Sequence, residues 1–353
     1  MTDDLDSVIA AYRKNLPLYA SFANKVRDLV DELLVINKTK FHFVEARAKS
    51  PESLTEKLQR PGKSYSNPLS DIPDLVGVRV VLYYSDDVAK IGKMLKGEFE
   101  LIGEELGHQP KGLSADRFGY LSLHCVLRLA TRRSKLSEWS RYKGLHFELQ
   151  LRTVLQHSWA AVSHALQYKK EGDVPHELRR KLHRLAGLFE LADEEFLELR
   201  DLAAEKAREA SVAVKKGVDE IGLDISSLQA FVRQWKPLKD VLNELEARGI
   251  NPADLEDVRD EEEPHNYLGD IVEHCERIGI RTISELKKML SKDFTSFVEY
   301  VAEPRWCMGV EFVLYLLLIA SRPKDFSVEI LTHAGFHENI AKRVLNAAAK
   351  AQT

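Results

Sequence analysis

The sequence predicts an α+β fold over residues 1–200, a mixed β-sheet flanked by helices, followed by an all-α C-terminal region. Three observations predict it. Stretches of strict apolar/polar alternation, the pattern of half-buried strands, are interleaved with stretches of helical spacing through the first two hundred residues. From Pro175 onward the alternation stops and only helical spacing remains. The charge divides at nearly the same place, with a net +3 over residues 1–200 and −7 over the remainder of a chain whose total is −4. A length of 353 residues suggests two or three domains, and 44% apolar residues supply real cores. Disordered, collagen-like and disulfide-stapled classes are thereby excluded, as is a uniformly basic nucleic-acid coat. The expected division is a first domain over 1–200, a helical linker over 201–223 and a helical accessory or regulatory domain over 224–353.

The first thirty-five residues read as helix, with Val8, Tyr12, Leu16 and Tyr19, then Phe22, Val26, Leu29, Val30 and Leu33, near helical spacing. Pro17 is expected to break or start a helix there. At Phe41 the period becomes two: Val44, Ala46 and Ala48 alternate with Glu45, Arg47 and Lys49. Ser50-Pro51-Glu52 supplies an N-cap and a proline at the first helical position, opening a helix to about Gln59 that Pro61-Gly62 ends. The near-continuous apolar run Val76–Tyr84 predicts a central strand buried on both sides. Ser85-Asp86-Asp87 then caps a helix over Val88–Leu95. Leu121, Leu123, Cys125, Leu127 and Leu129 alternate with Tyr120, Ser122, His124 and Arg128, and Phe147, Leu149 and Leu151 alternate with His146, Glu148, Gln150 and Arg152. Thr153-Val-Leu-Gln156 is a capping box opening a helix to about Lys169. Glu177–Val214 reads as one or two long surface or spacer helices, and residues 224–353 as shorter helices separated by Gly or Pro. Gly249-Ile-Asn and Gly279-Ile-Arg resemble each other, but their spacing makes no regular repeat.

The acidic start gives no secretory signal, and the longest apolar run, Phe312–Ala320, falls well short of the ~20 residues of a membrane span. Three distant cysteines without CxxC spacing read as reduced thiols. A cytoplasmic protein without membrane contact is expected.

The polar strand faces bear residue types that simple solvent exposure does not require. Arg47 and Lys49 share one face, Tyr120, Ser122 and His124 another, and Glu148, Gln150 and Arg152 a third, with Asp74 at the start of the most buried strand. Two carboxylates, several cations and an aromatic ring suit a metal-dependent nucleotide site. Mg²⁺ is held by one or two carboxylates plus substrate phosphates, and phosphoryl transfer asks mostly for positioning and charge neutralisation. Other nucleotide motifs fail: Gly62-Lys63-Ser64 lacks the earlier glycine of a P-loop, and there is no G-x-G-x-x-G.

Arg47-Ala-Lys-Ser-Pro-Glu-Ser-Leu54 with Lys57-Leu58, Asp74-Leu-Val-Gly-Val-Arg-Val80, Gly119-Tyr-Leu-Ser-Leu-His124 and Glu148-Leu-Gln-Leu-Arg-Thr153 occur in order. Together they resemble the synthetase domain of RelA/SpoT-type alarmone synthetases, over roughly residues 20–200. Trp159, His164 and Tyr168-Lys169 also fit that pattern. The resemblance implies a nucleotidyltransferase-like fold and transfer of the β,γ-pyrophosphate of ATP to the 3′-hydroxyl of GDP or GTP. It implies Mg²⁺ on Asp74 and Glu148, with Glu148 also the base for the 3′-hydroxyl. Arg47 and Arg79 match the pair that sandwiches adenine, and Lys49, Ser50 and Lys57 match phosphate contacts, with the helix start at Pro51 offering N–H groups to an anion. Tyr120 matches the aromatic that stacks on the acceptor base, His124 a residue near acceptor phosphate, and Gln150 and Arg152 flank the metal carboxylate. His157, His164 and Tyr168 read mainly as packing, and Cys125 as core.

No histidine is followed by Asp, and about forty residues precede the synthetase strands, so a synthetase without the family's hydrolase domain is expected. Leu121 stands where many relatives have a polar residue, which leaves acceptor preference open. The alternative function is a toxic synthetase that pyrophosphorylates the 3′ end of tRNA and is restrained by an antitoxin or by its own C-terminal region. Two basic groups bear on it: Arg128, Arg132, Arg133, Lys135, Arg141 and Lys143, and then Lys169, Lys170, Arg179, Arg180, Lys181 and Arg184. A degenerate scaffold is disfavoured by the retained carboxylates and arginines. The C-terminal helices could inhibit intramolecularly, dock a regulatory partner or make a homo-oligomer.

Overall fold

The computed structural model describes residues 2–62, 65–106, 122–165, 175–217, 220–253, 267–290, 295–301 and 307–351. It divides into two compact units, Met1–Arg200 and Asp201–Thr353. Among the described residues no helix is long and apolar enough to cross a membrane.

In the first unit, strands β1 (Phe41–Ala48), β2 (Val76–Leu82), β3 (Phe99–Leu106), β4 (Leu123–Leu129) and β5 (His146–Thr153) form one mixed sheet in the order β1-β2-β5-β4-β3. Only β2 and β5 run parallel. The period-two pattern sorts the side chains. Val78, Val80, Phe147, Leu149, Leu151, Cys125 and Leu127 join one buried core with α1 (Thr2–Ile36) and α4 (Ser85–Glu98). Phe147 is central to it, edge-on to Phe22 of α1 at 6.1 Å and to Phe99 at 5.1 Å. The opposite face carries Glu45, Arg79, Glu148 and Gln150.

The α+β class stands, with four local corrections. Helix α1 runs unbroken through Pro17. The proline is on the exposed side, where the unpaired carbonyl it leaves meets water, while Tyr12, Tyr19 and Phe22 on the other side are buried and offset its cost. Strand β2 is not buried on both sides throughout, because Gly77 and Arg79 open onto the polar face. Ser85–Asp87 form the first turn of α4 instead of its cap; Tyr84 holds the cap position without a side-chain bond, and Asp86 pairs with Lys90 and Arg200. Strand β3 has no clean alternation because a register shift between Leu101 and Gly103 reverses its faces at the sheet edge. Two helices follow their signals closely. α2 (Pro51–Leu58) takes Ser50 as N-cap, and at the start of α6 (Val154–Ala165) Thr153 and Gln156 exchange the bonds of a capping box. α7 (His176–Lys216) is one helix that runs through the division at residue 200.

The second unit is helical: α8 (Ile225–Gln234), α9 (Lys236–Ala247), α10 (Tyr267–Arg277), α11 (Ile283–Met289), α12 (Thr295–Val301), α13 (Val310–Ser321), α14 (Val328–His333) and α15 (Glu338–Lys350). α13 contains the chain's longest apolar run and is buried all round from Val313 to Ala320, as expected of a central helix. The all-α expectation misses one detail, a short parallel pair between β6 (Asn251–Ala253) and β7 (Cys307–Gly309). Cys125 and Cys275 are both buried, as a core reading of Cys125 requires.

His274 on α10 is 2% exposed and stacks on Phe326 with ring centroids 3.8 Å apart. Arg277, which can only donate, bonds its Nδ1, so the neutral ring carries its proton on Nε2. Burial first, then the Arg277 guanidinium, push its pKa down to about 4. The unfolded chain (pKa ~6.5) therefore binds a proton that the folded one refuses between those values, and stability rises with pH across that window. Lowering the pH from 7 to 4 is expected to cost the second unit about 3 kcal/mol through this residue. Chemical denaturation at several pH values measures it; an equal slope in wild type and His274→Phe would refute the assignment.

Candidate active site

The polar side of the sheet is a surface cavity of about 280 Å³, lined by residues of β1, β2 and β5, by the β1–α2 junction and by Asp74. Pairing register builds it in rows. Glu45 lies beside Arg79, Arg79 beside Gln150, and Gln150 beside His124; in the next row Arg47 lies beside Gly77 and Gly77 beside Glu148. Gly77 is the floor. Nothing lies within 4 Å of where its Cβ would stand, so any larger residue would project into the space between Arg47 and Glu148.

Two polar clusters stand there. In one, Lys49 and Lys57 each place an ammonium 2.8 Å from a different carboxylate oxygen of Asp74. Burial works against ionising Asp74, but the two ammonium groups outweigh it and hold its carboxyl below the usual range. In the other, His124 Nδ1 is 2.9 Å from Glu148 Oε1 and Gln150 Nε2 donates to Oε2 at 3.2 Å. Ser122 Oγ lies 2.7 Å from His124 Nε2, so the neutral ring can accept from the hydroxyl while its Nδ1–H donates to the carboxylate. Burial opposes the charge of Glu148 too, and the His124 and Gln150 bonds outweigh it to lower its pKa. Arg79 donates weakly to Gln150 Oε1 at 3.4 Å and pairs with Glu45.

The remaining predicted residues are placed as follows. Arg47 is exposed at the rim. Ser50 accepts from Ser53 N–H at 3.1 Å, so part of the expected anion-binding helix start is capped internally. Arg152 is 8% exposed and its Nε has no hydrogen-bond partner among the described residues. Burial, then Arg79, bring its pKa down to about 10. Tyr120 and Leu121, with Tyr168-Lys169 and Lys170, lie outside the described residues. His157 packs edge-on against Phe43 at 5.4 Å, as its packing assignment requires. In the first basic group, Arg128 is paired with Glu100 and both Arg132 and Arg133 with Glu98.

Sequence reasoning missed Glu45, Gly77 and Tyr12. The Tyr12 hydroxyl donates to the Lys49 carbonyl at 2.6 Å from a fully buried position on α1. Its signal was there, but as one more apolar position in a helical stripe. Lys49 N–H also donates to Leu75 O at 2.9 Å, so the backbone of Lys49 is fixed from both sides while its ammonium meets Asp74. Tyr12→Phe leaves that half-buried carbonyl without its donor and is expected to cost ~1 kcal/mol of stability, measured by urea unfolding.

Residues 46–173 match the family described as "Region found in RelA / SpoT proteins". The chain is 28% identical over 186 residues to the GTP pyrophosphokinase YjbM of Bacillus subtilis (strain 168), covering 50% of this chain and 80% of that one. It is 25% identical over 206 residues to the GTP pyrophosphokinase YwaC of the same organism, covering 56% and 94%. Among solved structures, the small alarmone synthetase 1 from Bacillus subtilis aligns over 55% of this chain and 98% of its own, with a TM-score of 0.46 and 23% identity. A GTP pyrophosphokinase family protein from Streptococcus pneumoniae aligns over 54% and 93%, with a TM-score of 0.45 and 26% identity.

Proposed function

We propose, because residues 46–173 match a region found in RelA / SpoT proteins, that the first unit is a Mg²⁺-dependent pyrophosphokinase making guanosine 3′-pyrophosphate alarmones from ATP and GDP or GTP. The observation that carries this reading is the presence, in one cavity on the polar side of the sheet, of two ionised carboxylates, Asp74 and Glu148, each already engaged by nitrogen donors. Both relatives bear the name GTP pyrophosphokinase.

The donor set fits a substrate-bridged Mg²⁺. Among the described residues no group of three or more His, Cys, Asp or Glu could hold a metal unaided, and two carboxylates suit a hard cation that takes its other ligands from phosphate and water. Asp74 and Glu148 would hold it, and when bound it would neutralise charge on the transferring phosphates. The protein groups do the positioning. Lys49 and Lys57 exchange part of their contact with Asp74 for phosphate oxygens, and Arg47 and Arg79 hold adenine from the β1–β2 side. Glu148, oriented by His124 and Gln150, takes the proton of the acceptor 3′-hydroxyl. The new bond joins that oxygen to the β-phosphorus as its bond to the α,β-bridging oxygen breaks, and AMP leaves. Tyr120 is assigned to the acceptor base, and His124 and Arg152 to the acceptor's phosphates. The second unit is assigned an accessory or regulatory role.

ATP labelled on the γ-phosphate, offered with GDP, GTP, ATP and deacylated tRNA in parallel, tests the reading. Label on GDP or GTP supports it; label on tRNA alone would replace it with the toxic-synthetase reading. The pairing of Arg128, Arg132 and Arg133 with Glu98 and Glu100 leaves less free positive charge there for a nucleic-acid backbone.

A further inference from the structure

The second unit has a cavity of its own, of about 280 Å³, lined by residues of α10, α13 and α14 and by Ala334, which follows α14. Its charged groups are unevenly matched. Asp270, Glu273 and Arg277 lie three and four residues apart on α10 and so share one face, and Glu329 of α14 lines the same space. Three carboxylates against one guanidinium leave an excess of two negative charges. Glu273 and Glu329 make no ion pair among the described residues, and Arg277 is engaged with His274. Tyr315 of α13 also lines the cavity although it is only 1% exposed. Its ring packs among Tyr267, Phe326 and Phe336, which leaves the hydroxyl as the end that reaches the cavity. That hydroxyl forms no hydrogen bond among the described residues. Burial first, then Asp270, raise its pKa, and Arg277 and Glu273 are the next charges it senses, so it stands among the charged groups of the cavity. A buried hydroxyl without a partner is unfavourable, and a ligand that bonds it relieves that cost.

These groups narrow the chemistry of the ligand. Phosphate and other anions meet an excess of negative charge. Among the described residues no three of His, Cys, Asp and Glu could hold a metal ion, so the carboxylates do not converge on one point. Acceptors held apart suit positive charges carried on separate atoms of one molecule. An α-amino acid would bring its own carboxylate into the same excess and leave it uncorrected, whereas two ammonium groups balance it. Ile330 is half-buried and Ala334 is 3% exposed, and both line the cavity, giving methylene groups an apolar surface between the charged ends. The volume is at the small end of ligand pockets, which suits a short chain. We propose that this cavity binds a small aliphatic diamine, whose ammonium groups donate to the carboxylates of α10 and α14 and to the Tyr315 hydroxyl.

Calorimetric titration of the full-length protein tests it, with putrescine as the probe. The wild type binds putrescine one to one, and binds butylamine, of the same chain length but with a single charge, at least ~10-fold more weakly. Glu273→Gln and Glu329→Gln each weaken putrescine about tenfold, and Tyr315→Phe, which keeps the packed ring and removes only the hydroxyl, weakens it about fivefold. Glu273 and Glu329 are exposed, so their variants keep the far-ultraviolet circular dichroism and the unliganded unfolding midpoint of the wild type. Putrescine raises that midpoint in the wild type and leaves it unmoved in the variant carrying both glutamines, because only a ligand held by the folded state stabilises it. Glycine or leucine binding as tightly as putrescine would make this a site for a zwitterion and overturn the proposal. Displacement of putrescine by equimolar Ca²⁺, no binding at millimolar putrescine, or variants that bind it like the wild type would each overturn it as well.

Discussion

Asp74→Asn and Glu148→Gln are each expected to reduce transfer of label from ATP to the guanosine acceptor by at least ~10³. The reason differs between them. Asn at 74 removes the charge that Lys49 and Lys57 share, so two ammonium groups that are 17% and 12% exposed repel each other across a neutral amide. Some stability goes with the activity, on the order of 1–3 kcal/mol. Gln at 148 can still accept from His124, and its loss should fall on rate with little change in unfolding midpoint. Steady-state kinetics beside urea denaturation separates the two. Activity within tenfold of wild type in either variant would remove that carboxylate from the chemistry.

Arg152→Met is the second large effect, and it has opposite signs in two measurements. The arginine is buried, its Nε is unpaired among the described residues, and its charge is disfavoured enough to bring the pKa to about 10. A buried cation so poorly compensated contributes little to folding, and an apolar residue of similar length is tolerated or stabilising. The wild-type residue is then kept for an anion that arrives with the substrate. Transfer should fall ~10²-fold or more while the unfolding midpoint holds or rises. A variant that loses stability and activity together would make Arg152 a structural residue.

Much of this site was legible because strands write their faces into the sequence with a period of two. Glu148, Gln150 and Arg152 alternate with Phe147, Leu149 and Leu151, and the sheet keeps them apart as written. The capping signals at Ser50 and Thr153 were equally plain, since each depends on residues three apart. What depends on pairing between distant segments was not legible. Arg79 turns to Glu45 because the β1–β2 register sets them side by side, and the lysines read as phosphate ligands turn to Asp74, which reaches them from a segment seventeen or more residues away. Pro17 misled for a related reason: a local rule predicts a break, and burial of Tyr12, Tyr19 and Phe22 against the sheet overrides it. Strand β3 was hidden by its own irregularity. Tyr120 lies outside the described residues and keeps only the role its motif implies.

Thr153 ends the strand that carries Glu148, and its hydroxyl donates to the buried Asp193 of α7 at 2.8 Å. Helix and strand cannot shift independently without breaking that buried bond. The bond acts as a tie rod: restraint applied to the exposed side of α7 is felt at β5, and a ligand that stiffens β5 stiffens α7 in return. Thermodynamic reciprocity then requires that, if restraining α7 changes affinity for nucleotide at β5, nucleotide binding changes the free energy of restraining α7 by the same factor.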